Sequence, residues 1–245
     1  MRLPDHIYNA LKPLFAQHAD WHVARMPEHS HLRGPGTHFP GLQGLNQAGS
    51  GEQFLRFHRE MVRIFKWVLA NTPGPAYPYT PWPRLPDWVA NLFESSRPGF
   101  LAEAYQETNR LVIEGTADEL GNFIEATRLS SHPVRGIHNR THGTVAAYER
   151  QTFGVSNPLL VDAQMDSSRT APHNEHFWGL HGWIDEVFAE WQRLHNEIVD
   201  QSPLDPVLGG HGHGGHPHHE VGVVNQPAAS VSVDESKIFK PIWEE

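Results

Sequence analysis

The 245-residue chain has no cysteine. Disulfides, thiolate metal sites and thiol nucleophiles are therefore excluded, and any transition metal must be held by nitrogen and oxygen. Positive charge is scarce: 19 Lys and Arg stand against 28 Asp and Glu, a formal charge of -9. A nucleic-acid or anionic-membrane surface needs a basic patch that this balance does not supply. No apolar run approaches the roughly 20 residues of a membrane span, and the opening Met1-Arg-Leu-Pro-Asp-His6 lacks the apolar core of a signal peptide. The expectation is a soluble, cytoplasmic protein with one sizeable core. Also missing are a His-Glu-x-x-His zinc motif, a Gly-rich phosphate loop and a Gly-x-Ser-x-Gly elbow. What is abundant is histidine: 19 residues, as many as Lys and Arg together, spread over many segments. That is the composition of a metal site.

The strongest segment runs from Thr170 to Gln192 and reads as one amphipathic helix starting at Thr170-Ala-Pro. Phe177, Leu180, Ile184, Phe188 and Trp191 recur at spacings of three and four, and His181 lies on the same stripe. Residues Pro4 to Met26 predict a first helix, with His18 and His22 one turn apart. Gly51 to Leu69 predicts a second, with His58 among Phe54, Leu55, Met61, Val62 and Phe65. Between them lies a Gly- and Pro-rich loop holding His29, His31 and His38. Residues 71 to 100, dense in proline and aromatics, predict an ordered wrapping loop without regular structure. One or two packing helices are expected between Pro98 and Leu129. Gly136 to Tyr148 then places His138 and His142 four residues apart, where a helix points both imidazoles the same way. Gly209 to His219 is low-complexity and able to collect metal loosely.

Four amphipathic helices thus offer inward histidines, at 18 or 22, at 58, at 138 and 142, and at 181. Facing helices of a bundle build metal centres in this way. Three imidazoles per ion favour copper or zinc over magnesium or calcium. The lack of an inward Glu-x-x-His pair on two helices argues against a carboxylate-bridged di-iron centre. On ligands alone a zinc hydrolase stays open.

These residues resemble the type 3 copper proteins: tyrosinases, catechol oxidases and hemocyanins. Gly136-Ile-His138-Asn139-Arg-Thr-His142 is similar to the opening of the family's second copper site. Phe177, Trp178, His181, Ile184 and Asp185 fall in register with its closing pattern, Asp-Pro-x-Phe-Trp-Leu-His-His-Ala-x-Val-Asp-x-x-Trp. Phe54-Leu-Arg-Phe-His58-Arg59-Glu-Met resembles the Phe-Leu-Pro-Trp-His-Arg-x-Tyr that carries the last ligand of the first site. The chain departs from the family at Gly49, where a histidine is usual, at Leu180, and at Asn174-Glu175 in place of Asp-Pro.

The resemblance covers residues 10 to 195 and implies a mainly α fold, a four-helix bundle core with long irregular loops. Residues 1–205 would be the copper-binding domain, and residues 206–245 a His/Gly-rich segment and tail. It implies two coppers, with His138, His142 and His181 holding one and His22, His38 and His58 the other; His18 competes with His22, and His31 with His38. Arg59 would pair with Asp185, Phe177 would pack over an imidazole of the second site, and Asn139 would orient a water near the substrate hydroxyl, with Glu125 as a candidate activating carboxylate. The expected activity is oxidation, with or without hydroxylation, of a phenolic, catecholic or o-aminophenolic compound by dioxygen, and a copper-delivery partner is compatible with that picture. A mononuclear copper enzyme and a non-catalytic copper or oxygen carrier are the alternatives.

Overall fold

The structure, a computed structural model, describes residues 2–154 and 156–206. The His/Gly-rich segment and the tail lie outside the described residues. The fold is mainly helical, and no strand occurs among the described residues. Its helices are α1 (Asp5–Arg25), α2 (Ser50–Asn71), α3 (Asp87–Ser96), α4 (Phe100–Glu114), α5 (Ala117–Glu125), α6 (Ile137–Phe153), α7 (Pro158–Val161) and α8 (Glu175–Leu194). Among the described residues no helix is long and apolar enough to cross a membrane.

Helices α1, α2, α6 and α8 form the bundle core. In α1, Ile7, Leu11, Leu14, Phe15, His18 and Trp21 make one buried stripe. Helix α2 buries Phe54, Leu55, His58, Met61, Val62, Phe65 and Val68 and lies against α1, α5 and α8. Its approach to α5 is so close that a Cβ on Gly121 would stand 1.9 Å from the Gly51 carbonyl oxygen. Only two glycines facing each other permit that crossing. Helix α5 opens with a Thr116/Glu119 capping box.

Two expectations need correction. Residues 71–100 are not wholly irregular, because α3 forms after Pro86. Proline suits the position before a helix's first turn, where no intrahelical N–H is required, and Val89 and Phe93, one turn apart, bury against the core. The preceding stretch does wrap, and α8 accommodates it with glycine. The Trp82 N–H donates to the Gly179 carbonyl at 3.1 Å, and a Cβ on Gly179 or Gly182 would collide with Trp82 or with Tyr79 and Pro81. The second correction concerns the start of α8. Ala171–His173 is a separate 3-10 turn and Asn174 is the cap, its side chain accepting from the His176 N–H at 3.0 Å. Asn174 also donates to the buried Glu149 carboxylate on α6 at 2.9 Å, so the cap fixes α8 against α6.

Candidate metal centre

Each core helix delivers histidine to one point. His18 and His22 are successive turns of α1; His58 and His181 lie in the middle of α2 and α8, buried to 1 % exposure. His138 and His142 depend on how α6 begins. Gly136 precedes the helix at φ +88°, a left-handed conformation that L side chains rarely adopt, and a Cβ there would meet that of Ala126 at 2.5 Å. The chain can therefore turn sharply after α5 and enter α6 with His138 already facing the bundle axis.

Ligand nitrogens of His18, His22 and His58 lie within 4.8 Å of one another, and so do those of His58, His138 and His181. The His142 ring is 4.5 Å from His138 and 5.5 Å from His181, centroid to centroid. Five of these six imidazoles are held from outside through Nδ1. The acceptors are the carbonyls of Ser168 for His18 at 2.7 Å, Phe54 for His58 at 2.8 Å, Met165 for His142 at 2.6 Å and Phe177 for His181 at 2.8 Å. For His138 the acceptor is Asn139 Oδ1 at 2.7 Å. An Nδ1–H committed outward leaves the neutral ring with a lone pair on Nε2, aimed inward.

Residues 101–194 match the common central domain of tyrosinase. That stretch is similar to the tyrosinase domain. No curated protein and no solved structure matches it. The matched residues include α4, α5, α6 and α8, and with them His138, His142 and His181. The other three histidines, on α1 and α2, lie upstream of the match and join the centre only through the fold.

The site fits the copper that this family implies. His138 Nε2 and His181 Nε2 face each other at 3.1 Å. Since both rings spend their proton at Nδ1, this contact is lone pair against lone pair, and a cation between the two is what relieves it. Nε2 of His58 and of His142 are buried with no hydrogen-bond partner, and such orphaned polar atoms need an explanation. An all-imidazole donor set in a cysteine-free site suits copper.

Electrostatics of the six-histidine cluster keep the rings neutral. Burial lowers His18 to a pKa of about 3 and His142 to about 4, from the usual 6.5. His22, His58, His138 and His181 are lowered well below 6.5, by burial first and then by neighbouring histidines. All six are thus ready to ligate at neutral pH without losing a proton. The sign for stability follows. Between pH 6.5 and the lowered folded values the unfolded chain binds more protons than the folded one, so the metal-free protein loses stability as pH falls through that window. Each such histidine contributes a slope of at most about 1.4 kcal/mol per pH unit. Urea midpoints of the metal-free protein are expected to drop steeply from pH 7 to pH 5, and a flat profile over that range would contradict neutral burial.

The histidines that the structure gathers differ from the expected set at one position. His38 is exposed on the surface groove formed with Leu32, Phe39 and the outer face of α1, whereas His18 and His22 both reach His58. One helical turn supplies two imidazoles, and the loop is not needed as a ligand source; His31 is likewise exposed. Glu125 also departs from expectation. Its carboxylate is buried against Arg25 and is not among the groups lining the cavity of about 260 Å3 beside the histidines, which include Asn139, Gly143, Met165, Asp166 and Ser168. Asn139 does line that cavity, but its amide is engaged by His138 and by the Glu125 carbonyl. Phe177 stacks on His181 at 3.8 Å and meets His18 edge-on at 5.2 Å. Arg59 and Asp185 form the buried pair that joins α2 to α8, and Gln192 and Gln201 complete their hydrogen bonding. The carbonyls of Met165 and Ser168, which orient His142 and His18, carry no sequence signal because every residue has a carbonyl.

Proposed function

We propose that the chain is a dinuclear copper oxidase acting with dioxygen on a phenolic, catecholic or o-aminophenolic ring. His18, His22 and His58 hold one ion, and His138, His142 and His181 the other. The observation that carries this reading is the 3.1 Å approach of two Nε2 lone pairs whose tautomers are both set from outside. Bound copper supplies the one-electron chemistry that lets dioxygen oxidise an aromatic ring. The chain's own residues hold and exclude. Outward Nδ1 bonds stop the rings from rotating, and Phe177, fully buried, walls His181 off from water. The substrate ring enters the 260 Å3 cavity beside His18, His22, His138 and His142. Asp166 is the carboxylate lining that cavity, paired with Arg150 at 2.7 Å, and is the group we assign to take the proton from a substrate hydroxyl.

The test is copper per chain after anaerobic loading, in a variant whose histidines from His211 to His219 are replaced by asparagine so that loose binding there does not count. Two coppers per chain, a new near-ultraviolet band on admitting oxygen, and turnover of catechols or aminophenols are expected. One copper per chain without the band would replace this reading with a mononuclear centre. Two coppers and the band without turnover would leave an oxygen carrier.

A further inference from the structure

We propose that the buried Arg25–Glu125 ion pair is a positioning device that ties the helix carrying His18 and His22 to His138, acting through Asn139. The inference rests on the reading that these histidines share one metal centre.

Arg25 is the last residue of α1 and is 1 % exposed; Glu125 is the last residue of α5 and is 4 % exposed. The guanidinium engages both carboxylate oxygens, with Nη2 to Oε2 at 2.8 Å. Nη2 also donates to the Ser50 carbonyl at the start of α2, at 3.1 Å. The group therefore sits where α1 ends, α2 begins and α5 ends. From Glu125 the connection runs on through the backbone: its carbonyl accepts from Asn139 Nδ2, and Asn139 Oδ1 accepts the Nδ1–H of His138.

His138 needs this support for a geometric reason. His58 and His181 lie in mid-helix and donate to the carbonyl four residues earlier, which the helix itself supplies. His138 is the second residue of α6, so the residue four before it lies outside the helix and its carbonyl is not aligned. A side chain must stand in, and Asn139 does. Asn139 is in turn only as well placed as the end of α5, which Arg25 holds. Burying an ion pair is costly and seldom stabilises a fold relative to apolar packing, so its presence points to a requirement for geometry. The same pairing holds the Glu125 carboxylate away from the cavity lining.

The experiment is NMR of the metal-free full-length protein with 15N-labelled histidine, following hydrogen exchange of the ring Nδ1–H groups. In Glu125→Gln, exchange at His138 is expected to accelerate at least about tenfold, while His142 and His181, which donate to Met165 and Phe177, stay unchanged. Arg25→Lys leaves Asn139 in place but cannot grip both Glu125 oxygens and the Ser50 carbonyl together. It should give the same selective effect, which keeps the test valid if Glu125→Gln does not fold. Asn139→Ala, which removes the acceptor itself, sets the full size of the effect. Copper-loaded Glu125→Gln should keep its copper content but show more EPR-visible metal, as the two sites lose registration. Equal acceleration at all three rings, or none at His138, would overturn the proposal. The NMR result does not depend on copper: a selective effect in a protein that fails to load two coppers would sink the oxidase reading and leave the positioning role standing.

Discussion

Replacing His58 with alanine is expected to disable both halves of the centre, whereas His38→Ala leaves copper content and turnover unchanged. His58 belongs to both nitrogen groups. Its ring is 5.6 Å from His18 and 4.6 Å from His181, and its Nε2 is one of the buried atoms without a partner. Removing it takes away a ligand and opens a void between the two sites. The loss should exceed the roughly 10–100-fold in affinity or activity that follows from losing a group merely behind a ligand. Copper per chain and catechol turnover, measured on His58→Ala, His18→Ala and His38→Ala together, check the assignment. Loss of copper in His38→Ala with retention in His18→Ala would reverse it and restore the loop as the ligand source.

Arg59→Met is expected to be among the most destabilising single changes in the chain. Asp185 is 2 % exposed and receives Arg59 through its carboxylate and, at 2.8 Å, through its backbone carbonyl. Arg59 also binds Gln192 and lies over the Phe188 ring at 4.5 Å. Removing the cation leaves a buried carboxylate with Gln201 at 2.9 Å and Lys66 no closer than 3.9 Å. Breaking such a pair costs about 3–5 kcal/mol. For a chain of this size that is a fall in Tm of roughly 10 °C, at 2–4 °C per kcal/mol. The double variant Arg59→Met/Asp185→Leu should recover much of the loss, because the stranded charge is gone. Calorimetry of the three proteins decides, and a single variant as stable as the parent would mean that water reaches Asp185.

The sequence read most clearly where function and core share a helix face. His181 was visible on the stripe of α8, and His138 and His142 were visible as a four-residue pair after a glycine. The Arg59–Asp185 pair was legible only through the family resemblance. It joins positions far apart in the chain, and nothing in either helix alone says which charge the other meets. Helix α3 was hidden among prolines because proline breaks a helix from inside but starts one from outside. His38 enters the expected set only through the family resemblance, although His18 and His22 have the four-residue spacing that lets one helix supply both rings.

By itself the sequence determined that this is a cysteine-free, histidine-rich helical protein whose four ligand-bearing helices each turn histidine toward a common interior, because helical periodicity fixes which side chains share a face. Only the tertiary structure decided which histidines meet, that His18 joins the set while His38 stays at the surface, and that Glu125 serves Arg25 and not the cavity. Those outcomes depend on where backbone carbonyls such as Met165 and Ser168 come to rest and on how closely Gly51 and Gly121 let two helices approach. They are properties of packing between distant segments, which no local pattern in the chain encodes.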